Sequence, residues 1–399
     1  MEAKPHDGCS VTIPLLLGND EKQHELSLEE AEGVDSIGCH SITGTTSFFK
    51  TCFNGLNALS GVGILSVPYA LASGGWLSLI LLLIIASTSF YTGLLIQRCM
   101  DIDPSIRSYP DIGERAFDVG VLEIFGLRIG GRQCFVLIVS LIILPTVWLN
   151  SISFLSYISA TGVLASFLIL GSILWAGVFD GIGFQENGTL LNWNEIPTSV
   201  SLYAFCYCAH PVFPTLYTSM RNPKLFSKVL LLCFLLCTIT YASMAVFGYL
   251  MFGSEVESQV TLNLPTEKIS SRVAIYTSLL NPISKYALMV MPIVHAAENR
   301  LRSCCNRRWL SFVISTTMVI SSVVVALAIP FFGLLMTLVG ALLSVTGSIL
   351  LPCMCYLKIS GTYQEFGFEL VLICGIVVMG LLIGITGSYT SLVQIIEHL

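Results

Sequence analysis

The stretch from Asn57 to Ala70, NALSGVGILSVPYA, lies inside an apolar segment that runs from about residue 48 to residue 72. Glycines on both sides of Val62, with Ser60 before them and Pro68 after, disfavour a continuous helix. A break in a membrane-spanning helix frees backbone N–H and C=O groups that hydrocarbon cannot satisfy, so such breaks occur where protein, a cavity or a ligand meets them. The alternative is that these small residues only let a neighbouring helix pack closely.

The composition around this stretch is that of a polytopic membrane protein. Of the 399 residues, 54% are hydrophobic and 11% are charged, against about 25% charged in an ordinary soluble domain. The Lys and Arg residues lie in short connections and form no basic surface interleaved with aromatic residues, which argues against a nucleic-acid partner. We expect a lipid bilayer as the surroundings, and neither a metal nor a coenzyme.

The chain divides into two parts. Residues 1–47 are polar and acidic and predict a disordered cytosolic tail, whereas residues 48–395 carry the apolar segments of a transmembrane domain. The pattern predicts an all-α fold with about ten spans, since each segment is long enough to cross a bilayer at ~1.5 Å per residue. The predicted spans are about 48–72, 76–97, 133–149, 154–179, 200–219, 225–252, 273–295, 310–331, 333–356 and 368–394.

The loops between these spans predict their sidedness, because Lys and Arg accumulate on the cytosolic side. Cations mark the connections near Arg221 and near Arg302 as cytosolic, whereas residues 180–195 and 255–267 carry few cations and belong to the opposite face. The sequon Asn187-Gly188-Thr189 lies in the first of these poorly charged loops, so Asn187 is a candidate glycosylation site.

One region conflicts with this assignment. Residues 119–131 are too short and too polar to span, and we interpret them as an amphipathic surface helix or a loop. The loops before and after this piece nevertheless fall on opposite sides of the membrane. A transmembrane segment is therefore expected to be missing here.

A second interruption occurs between Tyr203 and Pro214, where Pro211 and Pro214 remove backbone donors in the middle of a span. His210 adds a group that can pass a proton near neutral pH. The alternative is an ordinary proline kink with a hydrogen-bonded core histidine. Two broken spans in one chain favour the inverted-repeat design of secondary transporters.

Several of these residues resemble a known family. Four stretches carry this resemblance: the first broken segment, Ser108-Tyr109-Pro110-Asp111-Ile112-Gly113, residues 203–214, and the run from Asn281 to Leu288. The chain resembles the amino acid/auxin permease family, and most closely its plant vacuolar AVT type. The resemblance covers about residues 46–395. It implies a five-plus-five inverted-repeat fold with broken helices 1 and 6, eleven spans, and proton-coupled transport of neutral amino acids by alternating access. It also implies the vacuolar membrane, with the plasma membrane as the alternative.

The chain departs from that family at one place. The family's third helix should lie between Asp118 and about Glu123 and is absent, which agrees with the conflict in sidedness. Only three spans then separate the two broken helices, so we expect them to point the same way and to lose their inverted pairing. A truncated isoform without transport activity is therefore an alternative function.

The first break supplies most of the candidate substrate-binding residues. Unpaired N–H groups at the start of a half-helix suit a carboxylate. The candidates are Gly61, Val62, Gly63 and Ile64. Ser60 could add a hydroxyl group. The amide of Asn57 and the freed carbonyls could accept from the substrate ammonium, although Asn57 could equally make an ordinary interhelical hydrogen bond.

The second break and a later span supply the remaining candidates. Phe205, Tyr207 and Cys208 are predicted to shape the side-chain pocket. His210 and Lys285 are candidates for proton or ion coupling. Lys285 lies within a span and could replace a coupling cation or extend towards a surface.

Two other classes of function fit the sequence less well. A passive channel would usually show rings of like charge or a repeated filter sequence. An intramembrane enzyme needs a nucleophile with a base, or metal ligands, within its spans. We predict a transporter with no catalytic residues, driven by a proton gradient.

Overall fold

The structure is a computed structural model, and it describes residues 44–61, 63–117, 122–124, 127–129, 152–184, 188–300, 313–314, 317, 332–364 and 367–397. The predicted cytosolic tail up to residue 43, the predicted spans 133–149 and, apart from three residues, 310–331 lie outside these ranges. Val62 and Asn187 also lie outside them. The described residues form an all-α polytopic membrane protein, apart from one short hairpin.

The helices follow the apolar segments closely, and two pairs are interrupted spans. The first broken span consists of α1 (Phe48–Leu59) and α2 (Gly63–Gly74). The second consists of α6 (Ile196–Cys206) and α7 (Phe213–Ser219), with a 3₁₀ turn at His210–Val212 between them. The helices are α1 Phe48–Leu59, α2 Gly63–Gly74, α3 Ser78–Ile102, α4 Tyr109–Phe117, α5 Ile152–Phe179, α6 Ile196–Cys206, α7 Phe213–Ser219, α8 Phe226–Phe252, α9 Ile269–Arg300, α10 Phe332–Val339, α11 Leu351–Ser360 and α12 Phe368–Glu397.

The described residues contain five single helices that are long and apolar enough to cross a membrane, and a sixth candidate span if α1 and α2 count as one. These two half-helices are bent by 47° relative to each other. On α8 the residues Leu231, Leu235 and Ile239 are each 55% exposed. Their spacing of four places them on one stripe. That apolar stripe suits lipid, whereas the opposite face of α8 carries buried Cys237 and Tyr241.

The two broken spans run in opposite directions. Thr46, just before α1, donates its N–H to Ser219 O at 2.9 Å, and Arg221 N–H donates to Thr46 O at 3.0 Å. At the other end, Asn192 N–H, just before α6, donates to Gly74 O at 3.2 Å. The start of each span therefore meets the end of the other. The expectation that both point the same way was wrong. It depended on the number of membrane crossings between the two broken spans, and the charges of the loops do not determine that number.

The helix α5 explains how this orientation arises. Its Ser159 and Ser166 contact Asn57 and Ser60 in the same order along the chain, so α5 runs parallel to α1. Its far end leads into the loop that packs on Gly74. Consequently α5 begins at the end of the bundle where Thr46 lies.

The described part of residues 119–131 differs from both forms predicted for this segment. Leu122–Ile124 forms a strand β1 and Leu127–Ile129 forms a strand β2, and they pair antiparallel with Glu123 opposite Arg128. The predicted amphipathic helix is thus wrong for the described part of this segment.

The loop after α5 packs on the end of the first broken span. Trp76 N–H donates to Thr189 O at 3.1 Å, and Leu77 N–H donates to Leu190 O at 3.0 Å. Gly75 allows this close approach, because its φ of +79° suits glycine and a Cβ there would lie 2.8 Å from the Leu190 backbone. This loop contains the predicted glycosylation site, whose neighbour Gly188 lies against the Tyr249 ring.

The span formed by α10 and α11 is irregular near its middle. Two π-helical turns, Gly340–Ser344 and Thr346–Leu350, separate the two α-helices. A Cβ at Gly340 would lie 2.0 Å from Ser201 O, so glycine is what lets this backbone approach α6. π-helical turns of this kind often mark functional regions.

Candidate substrate site

The first break is short and buried. The helix α1 ends at Leu59, Ser60 has extended backbone angles (φ −72°, ψ 116°), and α2 restarts at Gly63. Ile64 N–H donates to Gly61 O at 3.1 Å, so one N–H of the new helix already has a partner. The Asn57 side chain is fully buried and Ser60 is 6% exposed. The break therefore exposes backbone groups to the interior of the protein and not to lipid.

The second break lies directly against the first. The helix α6 ends at Cys206, and the chain turns through Tyr207–Ala209 before the 3₁₀ turn that contains Pro211. The thiol of Cys206 lies 3.5 Å from Gly63 O. A Cβ at Gly63 would lie 3.2 Å from Cys206 Cα. The glycine after the first break therefore lets the two interrupted backbones meet.

The Asn57 amide is held in a polar network between three helices. Its Nδ2 donates to Ser284 O at 3.0 Å and to Ser159 Oγ at 3.3 Å, and Ser284 Oγ donates to Asn57 Oδ1 at 3.1 Å. A Cβ at Gly162 would lie 2.2 Å from both Asn57 Oδ1 and Ser284 Oγ. The structure therefore contains the interhelical hydrogen bonds that were the alternative role for Asn57. Its predicted substrate role stays a prediction.

A second group of polar residues surrounds Ser60. The hydroxyls of Ser60 and Ser166 are 2.6 Å apart, and Asn281 Nδ2 donates to Ser166 Oγ at 3.1 Å. Ser166 and Asn281 are both buried. The sequence places Asn281 only within a family motif and gives no reason to select Ser166. Small polar residues in apolar spans are common, so only their position opposite the first break distinguishes these two.

Lys285 lies over the first break. A Cβ at Gly61 would be 2.6 Å from both Lys285 Nζ and Lys285 Cδ. Among the described residues the two ion pairs join Arg98 to Glu369 and Arg115 to Asp103, so neither involves this lysine. Its stem packs on the backbone where Gly61 has no side chain, and its ammonium group reaches the break.

Tyr241 of α8 connects the carbonyl ends of the two breaks. Its hydroxyl group lies 2.6 Å from Leu59 O and 3.3 Å from Cys206 O, and its side chain is fully buried. Leu59 and Cys206 are the last residues of α1 and α6. Tyr241 was not predicted from the sequence, since a tyrosine within an apolar span gives no signal of which backbone it will contact.

The three residues predicted to line the pocket face different neighbours. The Tyr207 ring is 5.8 Å from the Phe234 ring and nearly parallel to it, and its hydroxyl is 2.9 Å from Thr238 Oγ1 on α8. Phe205 Cβ would lie 3.1 Å from a Cβ at Gly340. Cys208 is only partly buried. Tyr207 thus packs against α8 and Phe205 against the irregular span.

His210 faces α3 on the other side of the second break. Its Nε2 is 2.8 Å from Ser89 O and 2.9 Å from Thr92 Oγ1. The carbonyl can only accept, so we assign the hydrogen to Nε2. Nδ1 is buried and has no hydrogen-bond partner among the described residues. His210 and Lys285 therefore contact different helices.

The described part of the chain offers no cluster of three His, Cys, Asp or Glu side chains that could hold a metal ion. What it offers instead is two antiparallel interrupted spans that meet at their breaks, with buried hydroxyl and amide groups around them. This arrangement defines a polytopic membrane protein with a polar centre inside the bilayer.

Comparison with known proteins shows which family this is. The family model described as "Transmembrane amino acid transporter protein" matches residues 44–136 and 123–393. The chain belongs to this family, and its resemblance to the AVT type of amino acid/auxin permeases is confirmed. It is therefore a member of a family of amino acid transporters.

The similar proteins include several from Arabidopsis thaliana. "Amino acid transporter AVT1J" is 54% identical, with 88% of this chain and 92% of the relative covered. "Amino acid transporter AVT1I" is also 54% identical, with 88% of this chain and 96% of the relative covered. "Amino acid transporter AVT1C" is 39% identical over 89% of this chain and 71% of the relative.

The length of the alignment differs from the length of chain that it covers. The comparison with AVT1J extends over 390 positions, whereas 88% of 399 residues is about 351, so about 39 positions have no residue in this chain. The family model matches in two parts that overlap at residues 123–136.

Proposed function

We propose that the chain is a secondary active transporter of neutral amino acids, coupled to protons and working by alternating access around the two breaks. The antiparallel meeting of the breaks carries this proposal, because it places freed backbone groups of both spans at one buried point. Such a point near the bilayer midplane is where secondary transporters bind their substrates. The vacuolar membrane is the proposed location.

The two ends of an amino acid suit different parts of this centre. The N–H groups at the start of α2, near Gly61 and Gly63, lie at the positive end of a helix and suit the carboxylate. The carbonyls of Leu59 and Cys206 suit the ammonium group. Because Ile64 N–H already donates to Gly61 O, the N–H groups beside it are the better candidates.

Two side chains are proposed to carry the coupling. The Lys285 ammonium lies beside the first break, where it replaces a mobile cation that would otherwise be co-transported. His210, whose Nδ1 is buried without a hydrogen-bond partner in the described part of the chain, is the proposed proton carrier. The proton gradient supplies the energy.

The alternative function, a non-transporting isoform, is supported by the positions of the AVT1J alignment that have no counterpart in this chain. Their number, about 39, and the two-part match of the family model support the predicted loss of a segment near Asp118–Glu123. The pairing of the two broken spans supports transport nevertheless, because the helices that carry the proposed site still meet.

Uptake by reconstituted protein tests the proposal and its alternative together. Liposomes would hold either this chain or a chain with the corresponding AVT1J segment inserted at Gly120, and labelled neutral amino acids would be supplied under a proton gradient. We expect both proteins to accumulate the label and a protonophore to stop accumulation. Accumulation by the restored chain alone would identify this chain as a non-transporting isoform. Uptake that is equal with and without the gradient would identify a passive channel.

A further inference from the structure

Tyr241 occupies the place where the two broken spans present their carbonyl ends. We infer that its hydroxyl group holds the carbonyls of Leu59 and Cys206 while the site is empty and yields them to the ammonium group of the substrate. Tyr241 is thus a positioning residue that sets the preference for substrates with an α-amino group. This inference rests on the proposed function.

The geometry favours a cation at this place over a hydroxyl group. Leu59 O and Cys206 O both terminate helices, so both lie at negative ends of helix dipoles. A tyrosine has one hydroxyl hydrogen and can donate fully to one acceptor. The Tyr241 hydroxyl group lies 2.6 Å from Leu59 O and 3.3 Å from Cys206 O, so its hydrogen bond to Cys206 O is the weaker of the two. An ammonium group has several donors and can satisfy both carbonyls.

The Tyr241 hydroxyl group is the group that a substrate ammonium would displace from these carbonyls, and the ring that carries it is held by its neighbours. The Tyr207 ring contacts the Tyr241 ring edge to face at 5.5 Å. Tyr207 is itself fixed by its hydroxyl group at 2.9 Å from Thr238 Oγ1. Lys285, the nearest cation that the site itself provides, lies at Gly61. Among the described residues, Lys285 makes no hydrogen bond to Leu59 O or Cys206 O, so a substrate competes there with Tyr241.

The test compares Tyr241→Phe with wild type in binding and in uptake. Without the hydroxyl group the carbonyls lack a donor in the empty site, so an ammonium group gains more by binding. We expect the Kd and KM for L-leucine to fall about 3- to 10-fold, since one net hydrogen bond corresponds to roughly that factor. The maximal rate should fall as well, because release then leaves the carbonyls bare. For 4-methylpentanoate, which lacks the amino group, no such gain is expected.

Thr238→Val is the matched control, since it lies one turn earlier on α8 and frees the Tyr207 hydroxyl group without touching either carbonyl. It should leave the ratio of leucine to 4-methylpentanoate affinity unchanged. An unchanged or raised Kd for leucine in folded Tyr241→Phe would overturn the inference. If wild-type protein binds neither compound, the proposed function fails instead.

A second measurement covers the case in which Tyr241→Phe does not fold. 3-Fluorotyrosine placed at position 241 reports the surroundings of the hydroxyl group through its ¹⁹F shift. We expect leucine to change this shift and 4-methylpentanoate to leave it unchanged. Equal effects of both compounds would overturn the inference, because the amino group would then not displace the hydroxyl group.

Discussion

The two breaks are built from different residues and are filled in different ways. The first consists of small residues around Gly61, and the groups beside it come from other helices, among them Lys285 and Tyr241. The second contains prolines and large rings, and its own Tyr207 and His210 are fully buried in it. The first break is thus filled by side chains of other helices, whereas the second is filled by its own side chains. Exchange of partners is therefore expected at the first.

The largest effect is expected from filling the first break. Gly61→Leu places a side chain where Lys285 Nζ and Cδ now lie, so both the lysine and a substrate are displaced. Misplacement at a reacting or binding centre can cost about 100-fold, and we expect gradient-driven uptake to fall at least that far. Gly375→Leu is the control, because a Cβ at Gly375 meets no atom within 4 Å. Retained uptake in Gly61→Leu would place the site elsewhere.

A smaller effect is expected from crowding the network next to the first break. Gly162→Ala brings a methyl group to 2.2 Å from Asn57 Oδ1 and Ser284 Oγ, and such overpacking costs about 1–3 kcal/mol. Gly171→Ala in the same helix meets nothing within 4 Å and should be neutral or slightly stabilising. Thermal unfolding of both variants measures the difference. Equal melting temperatures would show that the network yields easily.

A substitution at the second break is expected to change the coupling of transport to protons and to leave the affinity for amino acids unchanged. His210→Gln keeps a donor within reach of Ser89 O but removes the free ring nitrogen. We expect Kd for amino acids to stay within about 2-fold, the scale of a few tenths of a kcal/mol. Accumulation against a gradient should fall to the equilibrium level, measured as the ratio of label inside to outside. A large change in Kd would show that the second break also exchanges partners with the substrate.

The smallest effect is expected at Asp103, at the exposed end of α3 and away from both breaks. Hydrogen bonds from the Ser105 hydroxyl and N–H, together with Arg115, lower the pKa of this carboxyl group. A lowered pKa means that the contribution to stability is present at neutral pH and lost as the pH falls through the folded-state pKa. Asp103→Asn should speed amide exchange of Ser105 at pH 7 and leave uptake unchanged. The same exchange rate in both proteins at pH 7 would contradict this.

The positions of the breaks could be predicted from the sequence because local chemistry determines them. Glycine on both sides of Val62 and Pro211 in mid-span interrupt a helix whatever surrounds them. The direction of the spans could not be obtained in this way. The direction of each span depends on the number of membrane crossings before it. One segment whose crossing is uncertain therefore reverses the predicted direction of every later span.

The groups around the breaks were harder to predict for a different reason. Ser166, Asn281 and Tyr241 come from three helices that are distant in the chain, and each is one polar residue within an apolar segment. Lys285 could be selected because a charge in a span is rare. A serine or a tyrosine there is common, so only the packing of the helices distinguishes those that reach a freed carbonyl or hydroxyl group.

The bridge between Thr46 and Met220 has a mechanical consequence. The hydrogen bonds that fasten Thr46, before α1, to the end of α7 include three to backbone oxygens, namely Thr46 N–H and Thr46 Oγ1 to Ser219 O and Arg221 N–H to Thr46 O. The half-helices α1 and α7 are therefore joined at this end of the bundle. Any tilt of α1 at this end either carries α7 with it or ruptures all three bonds, so the two half-helices share a single hinge motion.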